Sequence, residues 1–400
     1  MHTEAKIATR KGRGKWLLGA LAATTATASL GLSALAAGSA AAAPSVPGAR
    51  LATSNGGSNP SNTSSTKTPE KPPGGSLTET GSTLLYPLWN IWVPAYTQKF
   101  GNVQVTTAGT GSGTGISEAA SGTVDIGSSD AYLSPAQNSS DPTLVNIPLA
   151  ISAQVVAYNL PGVTTHLKLS GKVLSEIYQG QITTWNNSAI ASANPGVTLP
   201  STPIVTLHRS DSSGDTFIFT QYLSKQDPSG WGEKISYNTT VPWPNAPGAL
   251  GEQGNGGMVS GLKATPGSIA YVGISYLSEL LGNGQTYAQL QNGKGNYVMP
   301  TATTIANEAN YYTTKTPANG TISMISGPVA EGYPIINYEY AIVNTHQSSS
   351  DTAKNMRSLL EWAVETTGGN SAQYLDQVNF QPLPSRQIGA SLKQIEKISG

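Results

Sequence analysis

The sequence contains no cysteine. It can form no disulfide, hold no thiolate-bound metal and perform no cysteine chemistry, so the chain depends on its packed cores alone. Charge is also scarce: Asp, Glu, Lys and Arg together make up 11% of the 400 residues. The four histidines, His2, His166, His208 and His346, lie far apart, and no pair has the helical spacing of metal ligands. The formal net charge is zero, but unevenly distributed. Residues 1–43 carry Lys6, Arg10, Lys11, Arg13 and Lys15 against Glu4, and the remainder has 17 basic and 21 acidic residues. A mildly acidic body argues against a nucleic-acid partner. Any anion it binds must be held by local geometry and not by bulk charge.

What is present divides the chain into parts. A basic stretch, Lys6 to Lys15, precedes an uncharged run from Trp16 to Ala49 that is rich in Ala and Leu and contains Ser39-Ala-Ala-Ala-Ala43. A positive start, an apolar middle and an A-x-A site describe a secretory signal peptide over residues 1–43, cut near Ala42. So many small residues make a weak membrane span. Residues 44–75 are Pro, Gly, Ser, Thr and Asn with almost no large apolar side chain, the composition of a flexible tether. The S-x-x-K pattern at Ser64 to Lys67 falls in this tether, where no rigid nucleophile can be built.

From Leu77 onward, β-branched runs alternate with glycine turns and helical stretches. Val103 to Thr107, Val124 to Ile126 and Gln154 to Tyr158 read as strands. Leu88 to Phe100, Ile116 to Ala120, Val173 to Tyr178 and Phe217 to Leu223 read as helices, with Gly111 to Gly115 as a turn. Met356, Leu359, Leu360, Ala363 and Val364 follow helical spacing, with Gly368-Gly369 as the stop, and Ile388, Leu392, Ile395 and Ile398 form a last amphipathic stretch. The alternation implies parallel βαβ units in a layered α/β protein. The length and 38% hydrophobic content suit two folded lobes.

Three segments share one design. They are Thr80-Gly-Ser-Thr-Leu-Leu-Tyr-Pro87, Gly109-Thr-Gly-Ser-Gly-Thr-Gly115 and Arg209-Ser-Asp-Ser-Ser-Gly-Asp-Thr216. Each sets hydroxyl residues and glycine at the expected start of a helix, where free N–H groups and the helix dipole favour an anion. A single such turn is an ordinary cap. Three, one with an arginine, suggest a site for a polyoxyanion. No G-x-x-x-x-G-K-[ST] is present, the glycines at 109, 111, 113 and 115 do not fit G-x-G-x-x-G, and Ser112 lacks the outer glycines of G-x-S-x-G. Nothing in the spacing supports a Ser112–His208–Asp130 triad. On residues alone Asp130 is a turn or helix cap, and Asp211 is a local partner that fixes the Arg209 guanidinium.

Together these segments resemble the PstS-type phosphate-binding receptors of ABC phosphate importers, in particular their actinobacterial branch. The resemblance covers Leu77 to about Pro384. It rests on Glu79 to Leu88, Gly109 to Gly113, Val124 to Ser134, His208 to Phe217, Pro266 to Gly273 and Tyr333 to Tyr338. It implies a two-lobed periplasmic-binding-protein-like α/β fold with two hinge strands, in which residues 76–151 plus 328–400 form lobe one and residues 152–327 form lobe two. It implies no catalysis and no cofactor. Inorganic phosphate would be the ligand, and the membrane permease of an ABC phosphate importer the partner of a monomeric, exported protein at the cell surface or wall. Thr83, Leu84, Ser112 and Asp130 of lobe one and Arg209, Ser213, Gly214 and Asp215 of lobe two would bind phosphate, with Asp211 orienting Arg209. Two features depart from the family: no lipidation cysteine ends the signal, and position 215 is Asp where many relatives have Thr, a possible second acceptor for a phosphate O–H. A secreted phosphatase and a receptor for another oxyanion are the alternatives.

Overall fold

The computed structural model describes residues 68–400. The expected signal peptide and most of the expected tether lie outside them. Residues at the end of that tether are bonded into the body. Glu70 N–H donates to Glu361, Arg357 pairs with Glu70 at 2.9 Å, and Asn355 exchanges bonds with the backbone of Gly74.

Eight strands form the main sheet: β1 (Gly75–Gly81), β2 (Val103–Gly109), β3 (Ile126–Ser129), β4 (Leu144–Tyr158), β5 (Val205–Arg209), β6 (Leu250–Glu252), β7 (Ser268–Gly273) and β8 (Ile336–Asn344). Their order is β2-β1-β3-β8-β4-β7-β5-β6, and the two-residue strand Thr286–Tyr287 also pairs with β4. The outer pairs, β1 with β2 and β3, and β5 with β6 and β7, are parallel, as the strand–helix alternation predicts. The central strands β8 and β4 run antiparallel to their neighbours. β4 is long enough to serve both halves. Residues 144–153 pair with β8, and Gln154 to Tyr158 pair with β7. Nearly every residue of β4 is buried, as its mainly apolar sequence requires for a strand covered on both faces.

Eight longer helices cover the sheet: α1 (Tyr86–Lys99), α2 (Ser112–Ser121), α3 (Gly171–Tyr178), α4 (Gly214–Gln226), α5 (Gly254–Ala264), α6 (Ala302–Tyr312), α7 (Ser350–Val364) and α8 (Ser385–Ile395). Two aromatic clusters mark two packing centres. In one, Trp89, Trp92 and Tyr96 of α1 meet Trp362 of α7. In the other, Phe219 of α4 stacks on Tyr271 of β7 at 4.5 Å, with Tyr178 and Trp243 alongside. Such pairs add about 0.5–1.5 kcal/mol each beyond the area they bury.

Two local expectations need correction. The run Gly111 to Gly115 is not a turn followed by a helix. The helix starts at Ser112, and Gly113 and Gly115 lie in its first turn. Val124 and Asp125 precede β3, which begins at Ile126.

Candidate functional site

Three helix starts meet where the two halves of the sheet face each other. The first follows β1. Ser82 Oγ accepts the N–H of Leu85, and the Ser82 carbonyl accepts from Tyr86 N–H, which closes a tight turn before α1. The second is the start of α2, with Ser112 at its first position. The third is the start of α4, where Ser213 caps the helix by accepting the N–H of Thr216 at 3.3 Å. First-turn N–H groups have no acceptor inside their own helix, so convergent helix starts concentrate unpaired donors and positive dipole ends.

The halves touch through these turns. Gly113 N–H donates to the Ser212 carbonyl at 2.9 Å, Asn255 Nδ2 donates to Thr83 Oγ1 at 3.0 Å, and Ser275 Oγ donates to the Leu84 carbonyl at 2.8 Å. Two glycines permit this approach. Gly111 has φ +101°, a backbone region that L side chains avoid. A Cβ on Gly214 would lie 2.5 Å from both Asp130 Oδ2 and Ser112 Oγ, closer than real atoms come. Gly214→Ala is therefore expected to wedge the two sides apart and weaken ligand binding by roughly tenfold or more, since overpacking costs about 1–3 kcal/mol. Calorimetric titration checks this, and wild-type affinity would show that the close approach is not needed.

Arg209 ends β5, almost wholly buried. Its backbone N–H donates to Tyr271 Oη, which also bonds Thr216 Oγ1, so the turn from β5 into α4 is pinned to β7. The guanidinium is held from two sides. Nε donates to Asp211 Oδ1 at 2.7 Å and Nη2 to Asp211 Oδ2, while Nη1 donates to Asp215 Oδ2 at 2.8 Å. Burial opposes its charge, but the Asp211 hydrogen bonds and both carboxylate charges raise its pKa further. Burial works against ionised Asp211 too, yet the bond and charge of Arg209 leave it below the usual carboxylate range.

Asp215 has little freedom left. Its carboxylate accepts from Gln154 Nε2 at 3.0 Å, Arg209 Nη1 and Asn255 Nδ2 at 2.7 Å. In this arrangement Asp215 fixes the side chains of Arg209 and Asn255. Burial outweighs those donors and raises its pKa.

Asp130 follows β3 and is buried. Ser82 Oγ donates to Oδ1, and Ser112 Oγ approaches Oδ2 at 3.4 Å. Burial first, then the charge of Asp215, pushes its pKa up to about 7, against hydrogen bonds from Glu339 and Ser82 and the charge of Arg209.

All the site residues expected from the sequence, Thr83, Leu84, Ser112, Asp130, Arg209, Ser213, Gly214 and Asp215, with Asp211 beside them, come together here. Ser82, Gln154, Asn255 and Glu339 were not expected. Ser82 lay inside a recognised turn, but the other three arrive from distant strands and helices with no local motif. The His208 ring lies against Trp243, 5.0 Å between centroids. Among the described residues, no group of His, Asp or Glu could hold a metal ion.

A two-lobed sheet protein with its anion-suited turns at the junction defines a solute-binding class, and comparison with known proteins agrees. Residues 66–365 match the PBP superfamily domain. The phosphate-binding protein PstS of Xylella fastidiosa is 34% identical over 326 residues, covering 80% of this chain and 84% of that protein. Phosphate-binding protein PstS 2 of Mycobacterium tuberculosis is 29% identical over 329 residues, covering 77% and 83%. The crystal structure of the phosphate binding protein from Stenotrophomonas maltophilia shares the fold, with a TM-score of 0.60, 20% identity and coverage of 80% and 93%. The chain belongs to the PstS family of phosphate-binding proteins.

Proposed function

We propose that this protein captures inorganic phosphate between its lobes outside the cytoplasm and delivers it to the membrane permease of an ABC importer. The observation that carries this is the convergence of three helix starts on one buried arginine and one buried carboxylate with a raised pKa. The helix starts and Arg209 suit an oxyanion, and Asp130 suits one that still bears a proton. Thr83, Leu84, Ser112 and Asp130 would hold phosphate from lobe one, residues 76–151 plus 328–400. Arg209, Ser213, Gly214 and Asp215 would hold it from lobe two, residues 152–327. A ligand gripped from both sides favours the closed arrangement through contacts the open one lacks.

Binding without turnover fits the site better than hydrolysis. A serine nucleophile needs a base to activate it, and the carboxylate beside Ser112 Oγ, Asp130 at a long 3.4 Å, is the acceptor this reading assigns to the O–H of the ligand. No described helix is long and apolar enough to cross a membrane.

The test is calorimetric titration with phosphate after stripping bound ligand, paired with small-angle scattering. Saturable one-to-one binding and a smaller radius of gyration with phosphate are expected, with no release of phosphate from a chromogenic ester. No binding, or identical scattering from verified free and bound samples, would defeat the proposal.

A further inference from the structure

Glu339 lies in β8, fully buried. It sits at a bulge, where Glu339 pairs with Ala150 of β4 but Tyr340 pairs with Pro148. Proline offers no N–H to a ladder, and a bulge redirects the side chains beside it. The Glu339 Oε1 accepts from Ser152 Oγ and from Asn337 Nδ2 at 3.1 Å. No N–H or hydroxyl donor reaches Oε2. The same Asn337 amide that donates to Oε1 also donates to the Asp130 carbonyl at 3.4 Å, which sets this carboxyl beside Asp130, its side-chain hydrogen-bond partner.

Two ionised carboxylates in that position would repel one another and leave a buried acceptor orphaned. Among the described residues, no cationic side chain pairs with either of them but Arg209, which acts on Asp130 by its charge alone. The Arg209 charge is already shared by Asp211 and Asp215, and Tyr340, next along β8, is held neutral by burial. One proton removes both difficulties. We propose that Glu339 is a neutral carboxylic acid that donates its proton in a hydrogen bond to Asp130, and so keeps Asp130 an ionised acceptor for the O–H of the bound oxyanion. This rests on the phosphate assignment. Burial, then the charge and hydrogen bond of Asp130, raises the Glu339 pKa well above the carboxylate range, in keeping with this role.

Glu339 is thus a positioning residue for selectivity. Asp130 ionised accepts from phosphate. Asp130 protonated can donate to sulfate. The phosphate preference should therefore fall as pH drops through the Asp130 pKa. A donor from Glu339 lowers that midpoint, and removing it raises the midpoint.

The experiment is competitive titration of phosphate and sulfate from pH 5 to 9 on wild type, Glu339→Gln and Glu339→Met. Glutamine keeps a donor toward Asp130 and adds no charge. Methionine keeps volume but donates nothing. The Gln variant is expected to hold the wild-type midpoint, and the Met variant to move it upward by ~1 pH unit. A downward move in the Gln variant would mean that Glu339 is ionised in the wild type, and an unmoved Met variant would mean that it does not act on Asp130. Either result overturns the proposal. Should the Met variant fail to fold, infrared difference spectra at pH 7 decide: a protonated-carboxyl C=O band present in wild type and lost in Glu339→Gln is required. Wild type that binds no phosphate defeats the functional assignment instead, and the infrared comparison still reports on Glu339.

Discussion

Replacing Arg209 by alanine is expected to weaken phosphate binding by more than about 2 kcal/mol, roughly thirtyfold, the scale for losing a charge-assisted hydrogen bond in a buried site. The arrangement around it makes a larger effect plausible on physical grounds. Asp211 and Asp215 lean on the same guanidinium. Without it, the buried Asp215 and the partly buried Asp211 face an incoming anion with only neutral donors beside them, and breaking a buried pair alone is worth about 3–5 kcal/mol. Thermal stability of the ligand-free protein should fall with affinity. Arg209→Lys separates charge from shape. It keeps the positive charge but cannot bond both oxygens of Asp211 while reaching Asp215, because an ammonium lacks the planar fork. It should bind phosphate less well than wild type and better than the alanine variant. Calorimetric titration of the three proteins is the measurement, and near-normal affinity in both variants would remove Arg209 from the site.

The second large effect concerns choice of ligand. Sulfate and phosphate are both tetrahedral, and both suit helix starts and an arginine. At neutral pH phosphate retains a proton and sulfate has none. Ionised Asp130, which already accepts from Ser82, can accept a hydrogen bond from that O–H as well. Facing sulfate it would meet a bare oxygen, leaving a buried charged acceptor unpaired at a penalty of about 1–3 kcal/mol or more. Wild type should therefore prefer phosphate by at least roughly tenfold. Asp130→Asn should lose much of that preference at pH 7, because the amide can turn an N–H toward sulfate. Competitive titration of both anions settles it. Equal binding of sulfate by wild type, or an undiminished preference in the variant, would show that Asp130 is not the selector.

How far the sequence revealed this site depended on whether a residue belonged to a local pattern. The three turns were legible because glycine, hydroxyl groups and a following helix are neighbours in the chain. Asp211 was legible as the partner of Arg209 because only Ser210 lies between them. Asn255 and Gln154 were not, because each reaches Asp215 across the fold, from α5 and from the centre of β4. Glu339 sits in a mainly apolar strand, beside a register shift opposite Pro148 that no local motif announces. The start of α2 was misread for a related reason. Glycine usually argues against a helix, but a Cβ on Gly115 would lie 2.6 Å from the Ser128 carbonyl oxygen. Tight packing of helix on strand required the residue that propensity disfavours.

The sheet order also constrains the sequence of events as the chain is made. β8 separates β3 from β4, yet its residues 336–344 follow β4 by almost the whole second lobe. When β1 to β4 have been synthesised, a gap one strand wide remains between them. The contiguous stretch that supplies β5, β6 and β7 can pair with the far end of β4 first. The half that begins the chain is therefore the last to be completed. Until then its bare strand edges are open to pairing with other chains, so the first half of the sheet closes only after its last strand has been made.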